Sequence, residues 1–110
     1  ASRGVSLVFN KDQLPLFTLW KNRQAAVDGY VTGLEPGVNF PNCKSFEKEK
    51  GRVAVLAPGE SRTFELALEV LPSAESVAAA TSAALAPSPT VRRICAMFRK
   101  RLALRSSSSG

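Results

Sequence analysis

Over the first two-thirds of the chain, short apolar runs alternate with turn-forming clusters, a pattern that predicts an antiparallel sheet or sandwich. Val5, Leu7 and Phe9 share one face of a first strand, which Asn10-Lys11-Asp12-Gln13 ends. The run Leu16-Phe17-Thr18-Leu19-Trp20 predicts a strand buried on both faces; Trp20 could stack on an apolar ring face of a ligand, but a lone Trp on an apolar strand favours the core. A polar loop through Asn22 and Gln24 leads to a third strand spanning Asp28 to Glu35. Pro36, Gly37, Pro41 and two asparagines, Asn39 and Asn42, then mark an irregular loop. Ser45 to Lys50 predicts a helical turn capped by Ser45.

After Gly51 the pattern predicts a hairpin, with arms Arg52 to Leu56 and Ser61 to Leu71 joined at Pro58-Gly59. Proline presets the first central φ of a type II turn and glycine accepts the positive second one. In the second arm Phe64, Leu66, Leu68 and Val70 alternate with Thr63, Glu65, Ala67 and Glu69, as in a half-buried strand. Beyond Pro72 the character changes. Ser73 caps an alanine-rich helix that runs to Ala86 and is stopped by Pro87-Ser88-Pro89. Thr90 caps a second helical pattern, with Val91, Ile94, Cys95, Phe98 and Leu102 on one face and Arg92, Arg93, Arg99 and Lys100 around the other. Ser106 to Gly110 reads as a flexible terminus. The expected fold class is therefore mainly β, an antiparallel β-sandwich with a C-terminal helical tail. Its parts are 1–72, the sandwich; 73–86, the helix; and 87–110, a basic helical or flexible tail.

At 110 residues the chain suits one domain, by the yardstick of roughly 100–200 residues each. Its net charge of +6 is unevenly spread: residues 1–75 hold nine basic and nine acidic side chains, whereas residues 76–110 hold six basic and none acidic. The basic character thus belongs to the tail, and the patterned part of the chain is neutral. The chain has no histidine, which removes Ser-His-Asp, Cys-His and His-ligated metal chemistry from within it. Cys43 and Cys95 form no CxxC pair and read as two free thiols. No run approaches the ~20 apolar residues of a membrane span, and Val5 to Phe9 is too short and too soon charged for a signal peptide. A cytoplasmic location is the default expectation. The opening Ala1-Ser2-Arg3-Gly4 enters a strand pattern without an initiating Met, as a piece of a longer chain would.

Two stretches carry a family signal: LPLFTLWKN, Leu14 to Asn22, and GYVTGLEPGVNFPN, Gly29 to Asn42. With the later KSFE and LAPGE segments they resemble the C-terminal part of the aldose 1-epimerase family, in the galactose mutarotase-like superfamily. The resemblance runs from about Leu14 to Val70, continues weakly to about Ala86, and then stops. It implies a C-terminal portion of a large β-sandwich and the interconversion of sugar anomers, with no metal or nucleotide cofactor and a small-molecule sugar as partner. In such enzymes a base takes the anomeric hydroxyl proton, an acid protonates the ring oxygen, and the ring opens and recloses. The base is a strand-end glutamate followed by a loop with proline and asparagine, a position that Glu35 matches. Partial burial in a sugar cleft would raise its basicity.

The acid in that family is a histidine from an upstream strand, which this chain lacks. Each partner of an acid–base pair contributes about 10²–10⁴-fold, so half a site is expected to be close to inactive. Lys21, Asn22, Asn39 and Asn42 are candidates to hydrogen-bond sugar hydroxyls, although asparagine in a proline-rich loop also serves simply as a turn former. Two other functions stay open: a carbohydrate-binding β-module without turnover, and a small basic protein whose tail contacts nucleic acid or membrane. The resemblance ends before that tail, which favours attraction to polyanions as an incidental property.

Overall fold

The computed structural model describes residues 2–98 of the chain. In chain order the elements are β1 (Arg3–Asn10), β2 (Leu16–Lys21), a 3-10 turn (Ala26–Asp28), β3 (Thr32–Gly37), α1 (Lys44–Glu49), β4 (Leu66–Leu71), α2 (Ala74–Leu85) and β5 (Val91–Phe98). They form a mainly antiparallel β structure of two sheets that does not close into a barrel. One sheet has the order β4-β1-β5 and the other is the β2-β3 ribbon.

The register explains where the core lies. Val5, Leu7 and Phe9 of β1 are paired with Val70, Leu68 and Leu66 of β4 and with Ala96, Ile94 and Arg92 of β5, so these share one face. The ribbon covers part of that face. Leu7, Phe9 and Leu14 are buried there, with Phe17, Leu34, Val38 and Ile94 packed against them. The Phe9 and Phe17 rings stack across the gap with centroids 5.9 Å apart. On the opposite face α2 lays Val77 and Ala80 against Leu71 and Cys95. Beside this cluster the Arg93 guanidinium reaches across buried Ser6, donating to its Oγ at 2.9 Å and to Glu69 Oε2 at 2.8 Å, which ties all three strands together.

Several sequence expectations are corrected. Val91 to Phe98 is a strand, not the start of a helix; it pairs with all eight residues of β1, from Arg3↔Phe98 to Asn10↔Val91. The spacing of Ile94 and Cys95 suits one helix face, but the sheet sends Ile94 to the ribbon side and Cys95 to the α2 side. Pairing the second edge of β1 satisfies a full row of backbone donors and acceptors that a helix would leave unmet. The rest of that helical pattern, Arg99, Lys100 and Leu102, and the Ser106 to Gly110 terminus lie outside the described residues. The expected hairpin is present only as its turn: Glu60 N–H donates to Ala57 O at 3.0 Å, and Gly59 has φ +79°. Its arms do not pair with each other; β4 begins at Leu66 and pairs with β1 instead. Ser45 is not the cap of α1, which starts one residue earlier with Cys43 at the N-cap and no side-chain cap bond. The third strand begins at Thr32 rather than Asp28. Ser73 does cap α2, within a reciprocal capping box with Ser76.

Candidate functional site

The β2-β3 ribbon positions the candidate base. Its register places Thr18 opposite Glu35, Leu19 opposite Leu34 and Trp20 opposite Gly33. Directly opposed residues of an antiparallel pair project to the same side, and that side alternates along the strand. Phe17 and Leu34 turn inward to the core, so Thr18, Glu35, Trp20 and Gly33 belong to the outer face. Glu35 is exposed, and Trp20 retains 50 % of its surface. Two expectations are thereby corrected: Trp20 is not a core residue, and Glu35 lacks the partial burial expected of it. A strand of only six residues in a two-stranded ribbon has one face to bury, and Phe17 and Leu34 take it.

Gly33 shapes this face. A methyl group there would meet Glu35 Oε1 and lie 3.2 Å from Glu35 Cδ and 3.3 Å from Trp20 Cβ. The carboxylate therefore lies back over the glycine, on the face that it shares with Trp20. An aromatic side chain and a carboxyl acceptor on one face can together stack on the C–H face of a sugar and accept from its hydroxyls.

The other candidates are spread along the ribbon and its loops. Lys21 is exposed at the end of β2, opposite Thr32, three residues beyond the Thr18–Glu35 pair and so roughly 10 Å away. Asn22 organises its own loop: its Oδ1 accepts from Gln24 N–H at 3.2 Å and its backbone N–H donates to Val31 O at 3.0 Å. Asn39 is exposed and its Nδ2 donates to Phe40 O at 2.9 Å. Asn42 donates its Nδ2 to Glu47 Oε1 at 2.7 Å. The structure thus groups Glu35 with Trp20, sets Asn39 and Asn42 on the loop that follows, and leaves Lys21 and Asn22 at the far end.

Glu47 is the residue that sequence reasoning missed. It comes from α1 and is buried, 1 % exposed. Phe40 N–H donates to its Oε2 at 3.2 Å, Asn42 to its Oε1, and Arg52 makes a forked pair through Nε at 2.8 Å and Nη2 at 2.7 Å. The hydrogen bonds from Arg52 chiefly, then those from Asn42 and Phe40, outweigh burial and pull the Glu47 carboxyl down to about 2. Glu47 in turn raises the Arg52 pKa above its ordinary value. Arg52 also lies over the Phe40 ring at 5.3 Å and the Phe46 ring at 5.9 Å.

A helix C-terminus brings the pair together. Gly51 has φ +66°; its N–H donates to Lys48 O at 3.0 Å, and Arg52 N–H donates to Glu47 O at 2.9 Å. These two bonds close a Schellman motif, which turns the chain back so that Arg52 meets the side chain five residues behind it. The available signal was a glycine just past a helical turn, with an acid before it and an arginine after.

Among the described residues there is no group of His, Cys, Asp or Glu that could hold a metal ion, and no helix is long and apolar enough to cross a membrane. Cys43 and Cys95 are free thiols. Clefts of about 750 and 530 Å3 open elsewhere, the first between Lys11, the loop after α2 and Arg92, the second beside Val38, Arg52 and Arg62. No curated protein and no solved structure matches the chain. A family model does match, over residues 1–70, from β1 to the penultimate residue of β4 and short of α2 and β5. The chain therefore belongs to the family described as domain of unknown function DUF4432, a galactose mutarotase-like family.

Proposed function

We propose that the chain contributes the sugar-contacting and general-base part of an aldose 1-epimerase-type protein that interconverts sugar anomers. The supporting observation is the outer face of the ribbon, where the Glu35 carboxylate lies over Gly33 and the half-exposed Trp20 stands opposite that glycine in the register. Glu35 accepts the anomeric hydroxyl proton, and Trp20 holds the apolar face of the pyranose. The acid half comes from a group outside these 110 residues, because the family resemblance assigns it to a histidine and this chain has none. No metal or nucleotide enters the scheme.

Because the acid half is absent from the chain, the test supplies one from outside: proton NMR of α-D-galactose or α-D-glucose in imidazolium buffer, with and without the chain, the spontaneous rate being the rate in that buffer without the chain. Anomer equilibration faster than the spontaneous rate, lost in Glu35→Gln while sugar still binds, supports it. Binding with the spontaneous rate favours a carbohydrate-binding module without turnover, a reading that the missing histidine and the exposure of Glu35 also suit. No sugar-dependent change in either the anomers or the Trp20 fluorescence defeats both.

A further inference from the structure

The loop after β3 carries Asn39 and Asn42, yet its own sequence gives little to hold it in one shape. One proline, Pro41, restricts it, and its backbone makes one internal bond, Asn42 N–H to Phe40 O at 2.8 Å. What fixes it comes from a different element. The buried carboxylate of Glu47 accepts from the loop backbone at Phe40 and from the loop side chain at Asn42, and its remaining acceptor capacity is taken by the forked Arg52. Arg52 closes the arrangement from the other side by lying over the Phe40 ring. A buried carboxylate with four donors is costly to leave short of any one of them, so the loop, α1 and the Schellman turn hold each other in place.

From this geometry we infer that Glu47, clamped by Arg52, is a positioning residue that sets the Phe40–Asn42 turn relative to the Glu35 face, and through it the affinity for sugar. The consequence for sugar rests on the function proposed above; the latch on the loop does not. Glu47 itself is enclosed and does not touch the ligand. It acts by presenting the turn, and by occupying the Asn42 amide so that Asn42 is a fixed strut rather than a free donor.

Three forms of the chain test this: the wild type, Glu47→Gln and Arg52→Lys. Glu47→Gln keeps the shape and removes the charge, while Arg52→Lys keeps a cation and loses the fork. The readouts are amide exchange at Phe40, the Asn42 side-chain NH2 resonances, and D-galactose affinity from the fluorescence of the single tryptophan, Trp20. Glu47→Gln is expected to lose Phe40 protection, move the Asn42 resonances and weaken galactose binding on the order of 10- to 100-fold, the scale of a small misplacement near a site. Arg52→Lys is expected to fall between it and the wild type on all three.

The positioning role is overturned if the loop signals move and affinity stays, or if affinity falls while the loop signals stay. It is equally overturned if Glu47→Gln changes neither. Should the wild type bind no galactose while Glu47→Gln still moves the loop signals, the latch stands and the sugar reading fails. If Glu47→Gln does not fold, Arg52→Lys decides by the same readouts.

Discussion

At Gly33 the missing side chain leaves room for the Glu35 carboxylate on the ribbon face that it shares with Trp20, and a single methyl group would displace it. The obstacle in Gly33→Ala is the far end of a flexible side chain, and Gly33 is not in the left-handed region, so the substitution costs little stability, under about 1 kcal/mol. The expected result is an unchanged fold by circular dichroism with a weakened galactose response of Trp20. Glu47 gives a second prediction at this scale, and its sign follows from the depressed pKa. The folded carboxyl titrates near 2 and the unfolded one near 4.5, so the stabilisation is fully present above about pH 4.5 and is lost as the pH falls through about 2. Acid unfolding of the wild type is therefore expected to begin in that window. In Glu47→Gln the part due to this group disappears, which urea titrations at pH 3 and pH 7 would show as a smaller difference in stability between the two pH values.

Elements fix these residues by local devices, and the devices differ in how plainly the sequence displays them. The cap at Ser73 was legible because serine before an alanine-rich run has few other uses, and the structure places it at the N-cap of α2; the reciprocal bond from Ser76 was not. The left-handed turn at Gly51 was not read from the sequence: the helical turn was expected to reach Lys50, but that Gly51 carries Arg52 back onto Glu47 is a three-dimensional consequence no spacing rule states. Gly51→Ala has open space around the added methyl, so its cost is conformational alone, roughly 1–2 kcal/mol. A drop of that size in chemical denaturation, with faster exchange at Phe40, is the expected outcome. Val91 to Phe98 was misread for a physical reason. Apolar residues at Val91, Ile94, Cys95 and Phe98 fit a helical stripe, and only the demand of β1 for a second partner strand makes the period two. Glu35 was found through the family resemblance, its neighbour Trp20 was misplaced in the core, and their adjacency appeared only once the ribbon register was known.

For the whole molecule, the unequal covering of the sheet is the dominant physical fact. The ribbon shields β1 and Ile94 of β5, while among the described residues β4 is an edge strand with its apolar row in the open. Leu68 is 69 % exposed and Val70 71 %, with Leu66 and Phe64 continuing the row, whereas Leu7, directly opposite Leu68, is buried. An apolar row on an unpaired edge presents both a sticky face and a free line of backbone donors and acceptors. The chain is therefore expected to bind a hydrophobic dye such as ANS and to associate as its concentration rises, by sedimentation velocity. Leu68→Lys puts a charge at the centre of the row without touching the Leu7–Phe9–Leu14 core, because Leu68 contributes little burial of its own. It should lower dye binding and association while leaving the melting temperature within a few degrees of the wild type. A Leu68→Lys chain that melts far lower would mean that the row is covered in solution. A chain that neither binds dye nor associates would point the same way, to a β4 edge that is covered in solution.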